Sequence, residues 1–280
     1  MQISVVIPSY NRKHSLARAL QSVLDQESPV DEIILVDDGS SDGSGAMVEQ
    51  TFPGVKILRQ ENLGVSAARN RGIEAARFDW IALLDSDDSW LPCKIAKIRQ
   101  AHRQQPDFVL FHSDEIWVRN GLRVNPMVKH RKSGGWIFEQ CLPLCAISPS
   151  ASVMKKTVLE SLGMFDETLP ACEDYDLWLR LCHRYPVHYL DQPLIVKYGG
   201  HADQLSRQHP AMDQFRIRAL HRLLVGASLS PEQQAAATAM LLTKLDILIR
   251  GAVKHGNQKL LDEFMPLREQ WRESVQAASC

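Results

Sequence analysis

Apolar and polar positions along the first third of the chain come in short blocks whose period changes repeatedly. Residues 3–7 (Ile-Ser-Val-Val-Ile) form a β-branched, apolar run of the kind buried on both faces of a sheet. Leu16, Leu20, Val23 and Leu24 then fall at helical spacing. A second apolar run, Ile33 to Val36, stops abruptly at Asp37-Asp38-Gly39-Ser40. Beyond it the pattern predicts a helix over 43–51, a strand over 55–58 and a helix over 65–76. Residues 80–84 read as a strand ending at Asp85-Ser86-Asp87-Asp88, followed by a helix over 92–104 and a strand over 108–111.

Strands alternating with helices predict an α/β fold with a mostly parallel central sheet flanked by helices. In such sheets ligands sit beyond the carboxyl ends of the strands. Three of the predicted strands end in polar, acidic or turn-forming residues: Ser9-Tyr10-Asn11, Asp37 to Ser40, and Asp85 to Asp88. One sheet edge is therefore expected to carry the chemistry. The stretch 113–200 reads differently, with a tight-turn signal at Asn120-Gly121, a strand-like 151–154, a helix over 173–183 and an extended 187–196. Beyond 210 the pattern is helical: Leu241, Leu245, Leu248 and Ile249, then Leu260, Phe264, Leu267 and Trp271, line up as core-facing stripes. Packing is the ordinary use of such stripes; contact with a partner or a membrane is the other.

Composition narrows the class. With 280 residues, 45% hydrophobic and 23% charged, the chain is ordinary for a globular protein, and a net charge of -1 supplies no overall field that would draw it to nucleic acid. Six cysteines (Cys93, Cys141, Cys145, Cys172, Cys182, Cys280) form no C-x-x-C pair, which fits reduced thiols; a zinc site from Cys141, Cys145 and histidines is the lesser alternative. The opening residues are too short and polar a run for a signal peptide, and the most hydrophobic later stretch, 240–253, contains Lys244, Asp246 and Arg250. The expected location is cytoplasmic, with peripheral contact on the inner face of the membrane left open.

Asp85-Ser86-Asp87-Asp88 packs three carboxylates into four residues. Like charges this close need a cation or hydrogen-bond donors, and hard oxygen ligands suit Mg²⁺ or Mn²⁺ bridging to phosphate. A solvated acidic loop capping the next helix is the competing reading. Seven segments, in order, then carry a resemblance: VVIPSYNR at 5–12, VDDGSSDG at 36–43, NLGVSAARNRG at 62–72, LLDSDDSW at 83–90, GMFDE at 163–167, EDYDLWLRL at 173–181 and HADQLS at 201–206. Over residues 1–206 the chain resembles a family 2 glycosyltransferase of the GT-A fold. That likeness divides it into a nucleotide-binding half (1–112), an acceptor-binding half (113–206) and a helical C-terminal extension (207–280).

The resemblance implies roles residue by residue. Pro8 and Tyr10 line the base and ribose pocket, and Asp38 accepts a hydrogen bond from a uracil ring N–H; its alternative is a turn former or helix cap. Arg69 is a pocket arginine near the nucleotide, or else a helix-surface cation. Asp85, with Ser86 beside it, is the ribose contact, Asp87 the direct metal ligand and Asp88 a support or helix cap. His201 is a further metal ligand. The family often has an arginine shortly before that histidine, where this chain has Gly199-Gly200. Asp174 matches the catalytic base, with Glu173 as its rival, at a helix start that suits anionic side chains.

Together these expectations describe a metal-dependent, inverting transfer from a UDP-sugar to a saccharide or glycolipid acceptor in surface polysaccharide or glycolipid synthesis. A catalytically inactive nucleotide-sugar-binding protein is the alternative. A dehydrogenase or a sugar nucleotidyltransferase needs a glycine-rich signature after the first strand, which VVIPSYNRKHS lacks. Two basic clusters, Arg119, Arg123, Lys129, Arg131, Lys132 and Arg207, Arg216, Arg218, Arg222, read as solvated faces or as cations around an anionic acceptor or membrane surface.

Overall fold

The computed structural model describes residues 1–125, 127–200 and 209–278. The chain opens with β1 (Ile3–Ser9), α1 (Lys13–Leu24), β2 (Glu32–Asp37), α2 (Ser44–Thr51), β3 (Lys56–Arg59), α3 (Val65–Ala75) and β4 (Trp80–Leu83). β5 (Ser89–Trp90), α4 (Lys94–Gln104), β6 (Leu110–Arg119) and β7 (Leu122–Val124) follow. Then come α5 (Phe138–Cys141), β8 (Val153–Lys155), α6 (Lys156–Ser161), α7 (Glu173–Cys182) and β9 (His188–Gly199). Three helices close the described chain: α8 (Asp213–Gly226), α9 (Pro231–His255) and α10 (Gln258–Ala278).

Among the described residues the strands form one sheet in the order β3-β2-β1-β4-β8-β6-β9-β5, with β7 paired to β6. The expected α/β fold is present, a sheet flanked by helices with a helical C-terminal region. The first four strands are parallel, as right-handed βαβ units require. The second half departs from the mostly parallel expectation. β8 runs antiparallel to both β4 and β6, and β5 runs antiparallel to β9, so the sheet is mixed. Asn120 (φ 51) and Gly121 (φ 78) make the β6–β7 hairpin, the double positive φ of a two-residue turn.

The alternation along β1 sorts two cores. Ile3, Val5 and Ile7 face α1, α2 and α4 through Leu16, Leu20, Val48 and Ile98, whereas Val6 faces α3 and the rest of the molecule. The second core is continuous: it runs from Val6, Ile34 and Ala68 through Trp178 of α7 to Phe215, Leu241 and Phe264 of the last three helices. Leu177, Trp178 and Leu181, expected as the anchors of α7, are each fully buried. α9 starts on a capping box, Ser230 with Gln233 and Pro231 at the first helical position, and ends at Gly256 in the left-handed conformation.

α3 lies so close to β1 and β2 that a Cβ at Gly72 would overlap Val6 Cγ1 and stand 3.2 Å from Val36 Cγ2. This closeness puts the following cleft wall in place. Gly72→Ala should therefore lower stability by ~1–3 kcal/mol through overpacking. An unchanged urea midpoint would show that α3 does not press on the sheet as described.

Candidate active site

β1, β2 and β4 are parallel, so their carboxyl ends share one edge, and the first turn of α7 closes over it. The space between is a cleft of about 530 Å³ whose walls include Pro8, Tyr10, Asp38, Arg69, Asp85, Ser86, Asp87, Glu173 and Asp174. Every expected site residue within the described chain is thus brought to one place. His201 lies outside the described residues.

The strand ends are tied together before any ligand is considered. The Asp38 N–H donates to the Ser9 carbonyl at 2.9 Å, Ser41 N–H donates to Asn11 Oδ1 at 2.8 Å, and Asp37 Oδ1 accepts from Ser40 N–H at 2.9 Å. Asp38 is 3% exposed and works as a bracket: Gln60 Nε2 (2.6 Å) and Leu63 N–H (3.0 Å) donate to Oδ1, and Gly64 N–H (2.9 Å) to Oδ2. It holds the segment leading into α3 rather than capping a helix. Tyr10 stands 46% exposed at the rim.

Arg69 is no helix-surface cation. It is 3% exposed and sits between two carboxylates, Nη1 at 2.6 Å from Glu173 Oε1 and Nη2 at 2.7 Å from Asp85 Oδ1, with its guanidinium 5.0 Å from the Phe165 ring centre. Burial works against its charge, but Asp85 and Glu173 outweigh that and leave it more firmly protonated than usual. Burial, with the Asp174 charge beside it, pushes the Glu173 carboxyl up, and Arg69 pulls the other way. Glu173 is therefore committed to Arg69. Asp174, one residue on, is half-buried in the cleft wall; its Oδ1 accepts the Tyr175 N–H at 2.7 Å.

The acidic loop divides by depth. Asp88 is 2% exposed and accepts from Ser150 Oγ at 2.6 Å and from the Tyr198 N–H at 3.1 Å, so it supports the loop and caps no helix. Burial raises its carboxyl well above the usual range, Lys197 opposes the rise, and Asp87 and Asp85 add to it. Asp85 and Asp87 are half-buried, and Arg18 Nη2 donates to the Asp87 carbonyl at 2.7 Å.

Sequence reasoning missed Lys197. It lines the cleft from β9, donates to Ser148 Oγ at 3.2 Å, and faces Glu115, Asp88 and Asp85, which together outweigh burial and raise its ammonium above the usual lysine range. Its only signal was a lysine within an extended, apolar run. The second basic cluster is largely neutralised: Arg216 pairs with Asp213 (2.9 Å), Arg218 with Glu263 (2.7 Å) and Arg222 with Asp166, while Arg207 lies outside the described residues. Lys132 is 9% exposed and stands 3.4 Å from Glu115.

Among the described residues no three His, Cys, Asp or Glu side chains form a metal cage. A Mg²⁺-type cation that arrives with a diphosphate needs only one or two carboxylates, the phosphates and water supplying the rest. Asp87 is a hard donor of that kind, half-buried in the cleft wall, so the residues fit a cation shared with a bound diphosphate.

The Glycosyl transferase family 2 profile matches residues 4–163, more than half of the chain. The chain belongs to glycosyltransferase family 2. It is 30% identical over 195 residues to an uncharacterized glycosyltransferase of Rickettsia conorii, covering 69% of this chain but only 32% of that one. The fold matches that of S. aureus TarS 1–349 in complex with UDP-GlcNAc (TM-score 0.64, 17% identity, 98% of this chain and 92% of that one). It also matches mannosyltransferase PcManGT from Pyrobaculum calidifontis in complex with GDP-Man and Mn²⁺ (TM-score 0.64, 15% identity, 99% and 86%).

In this family 2 chain, Arg69→Met would strand Glu173 as a buried carboxylate without its partner. A loss of ~3–5 kcal/mol is expected. Arg69→Met/Glu173→Gln should recover much of it, and a double-mutant cycle in chemical denaturation measures the coupling. A coupling near zero would remove the pair from the account of the cleft.

Proposed function

We propose that the protein is an inverting glycosyltransferase that moves a sugar from a nucleotide-diphosphate donor, a UDP-sugar, to an acceptor hydroxyl. The reading rests above all on the contrast between adjacent carboxylates: Glu173 is locked to Arg69, whereas Asp174 stays half-exposed in the cleft shared with Asp85 and Asp87. The nucleotide sugars bound by TarS and PcManGT support the donor class.

In this reading Asp174 takes the acceptor hydroxyl's proton as its oxygen attacks the anomeric carbon. The bond to the diphosphate breaks on the opposite face, its electron pair leaving with the phosphate oxygen, and the configuration inverts. Pro8, Tyr10 and Asp38 bound the nucleoside end, and Asp85 the ribose. Asp87, with His201 as a further candidate, would hold Mg²⁺ or Mn²⁺, which when bound offsets charge on the departing diphosphate. Lys197 adds a fixed positive charge at the base of the same cleft. The rival, a nucleotide-sugar-binding protein without activity, has no use for a positioned base.

Calorimetry with UDP, with and without Mn²⁺, tests the donor site: wild type should bind with a metal requirement, Asp87→Ala should lose it, and Asp174→Asn should bind normally while losing ~10²–10⁴-fold in turnover. No UDP binding by wild type sinks the donor assignment, and full turnover by Asp174→Asn sinks the base.

We further propose a saccharide or glycolipid acceptor of surface polysaccharide or glycolipid synthesis, met at the inner face of a membrane. No helix among the described residues is long and apolar enough to cross one. The support is the surface of the β6–β7 hairpin and the loop after it, which mixes exposed Leu122 (73%), Met127 (60%) and Val128 (91%) with exposed Arg119, Arg123, Lys129 and Arg131. Each basic residue there contributes about 1 kcal/mol toward an anionic surface. Co-sedimentation with anionic vesicles is expected at low salt and should fade by ~0.5 M salt. Lys129→Ser/Arg131→Ser should weaken it with UDP binding intact; absence of vesicle binding at every ionic strength favours a soluble acceptor.

A further inference from the structure

The segment between α5 and β8 reaches α7 twice. Tyr175, 1% exposed, donates its hydroxyl to the Leu142 carbonyl at 2.6 Å. Three residues along the segment, Cys145 Sγ stands 3.0 Å from Asp174 Oδ2 and 3.1 Å from the Ile147 carbonyl. The Tyr175 contact fixes the segment against the helix, so the thiol's approach to the carboxylate is a held geometry. Neighbouring Leu144 and Ala146 line a separate cavity of about 1230 Å³, which makes the segment the partition between that space and the donor cleft.

We propose that Cys145 is a positioning residue for the base, its thiol holding the Asp174 carboxylate toward the cleft and accommodating both of its protonation states. The inference rests on the reading of Asp174 as the base. A thiol has one hydrogen, so it serves one of its two acceptors at a time. While Asp174 is ionised, S–H donates to Oδ2, and Oδ1 is pinned by the Tyr175 N–H. When the acceptor's O–H bond breaks, its electron pair forms the new bond to the anomeric carbon and its proton settles on Oδ2. The S–H then turns to the Ile147 carbonyl, and the sulfur lone pair faces the new carboxyl O–H. No bond to sulfur forms or breaks.

The charged groups facing this thiol are Asp174 on α7, Lys197 on β9 and Lys132 on the loop before α5. Burial and the Asp174 charge hold the thiol protonated well above the usual range, against the two lysines, so it remains a donor.

Maleimide labelling of Cys145, read by peptide mass mapping at pH 8, tests the contact without a donor sugar. Asp174→Asn removes the adjacent negative charge and should speed labelling by about ten-fold, as the thiolate fraction rises. Equal labelling of the two proteins overturns the inference. Turnover is then followed as nucleotide release from whichever of UDP-GlcNAc, UDP-Glc and GDP-Man wild type consumes fastest. Cys145→Ala should lower kcat by about ten-fold with the donor KM unchanged, and Cys145→Ser should restore most of it. Wild-type kcat in Cys145→Ala, or no rescue by Cys145→Ser, also overturns it. A failure of the glycosyltransferase reading would look different, as a wild-type protein that consumes none of the three donors.

Discussion

One guanidinium decides where the two halves of the cleft stand. Arg69 comes from the helix that follows the third strand, Asp85 from the loop after β4, and Glu173 from the start of α7, 104 residues beyond Arg69. A buried ion pair is a weak source of net stability, because desolvating two charges consumes most of the Coulomb gain. What such a group supplies is direction. With both carboxylates bound to the same planar fork, the first turn of α7 cannot drift from the acidic loop. The gap between Asp174 and Asp87 is set by atoms neither of them owns.

Beside the cleft the same logic is repeated. Asp88, Glu115, Lys197 and Lys132 are opposite charges placed within reach of one another, with Ser148 and Ser150 as hydroxyl links. Each would be costly alone; together they form a rigid polar floor. Asp88 and Glu115 are thereby compensated out of solvent, whereas Asp87 and Asp174 stay half-buried in the cleft wall, where a ligand can reach them.

Much of this was legible in the sequence, for physical reasons. The parallel strands announce themselves by β-branched apolar runs that stop at acid or glycine, and those stops converge because parallel strands end on one edge. β6 was read too short. Its run Phe-His-Ser-Asp-Glu carries His112 and Ser113 at 0% exposure and Glu115 at 7%, polar residues that periodicity assigns to a loop. Glu115 is accommodated by Lys132 and Lys197 from distant segments, His112 by the Ser133 carbonyl and Ser113 by the Asp114 carbonyl. For the same reason neither the cleft role of Lys197 nor the Asp174 contact of Cys145 could be read: their meaning lies in neighbours that the chain brings from 29 to 112 residues away. The resemblance ranks Asp174 ahead of Glu173, and the Arg69 contact adds a physical difference between the two that the letters alone do not carry.

The continuous second core has a consequence for the order in which the protein can be made. α3 and α7, which carry Arg69 and Asp174, rest on the same apolar mass as Phe215, Leu241 and Phe264. During synthesis from the N-terminus, the first half leaves the ribosome with one sheet face sealed by α1, α2 and α4 and the other covered by α3 alone. The apolar surface beside α3 stays open until the later helices emerge. The nascent chain is therefore half-finished and sticky through most of its translation, and α7 is among the last parts to gain a solid footing.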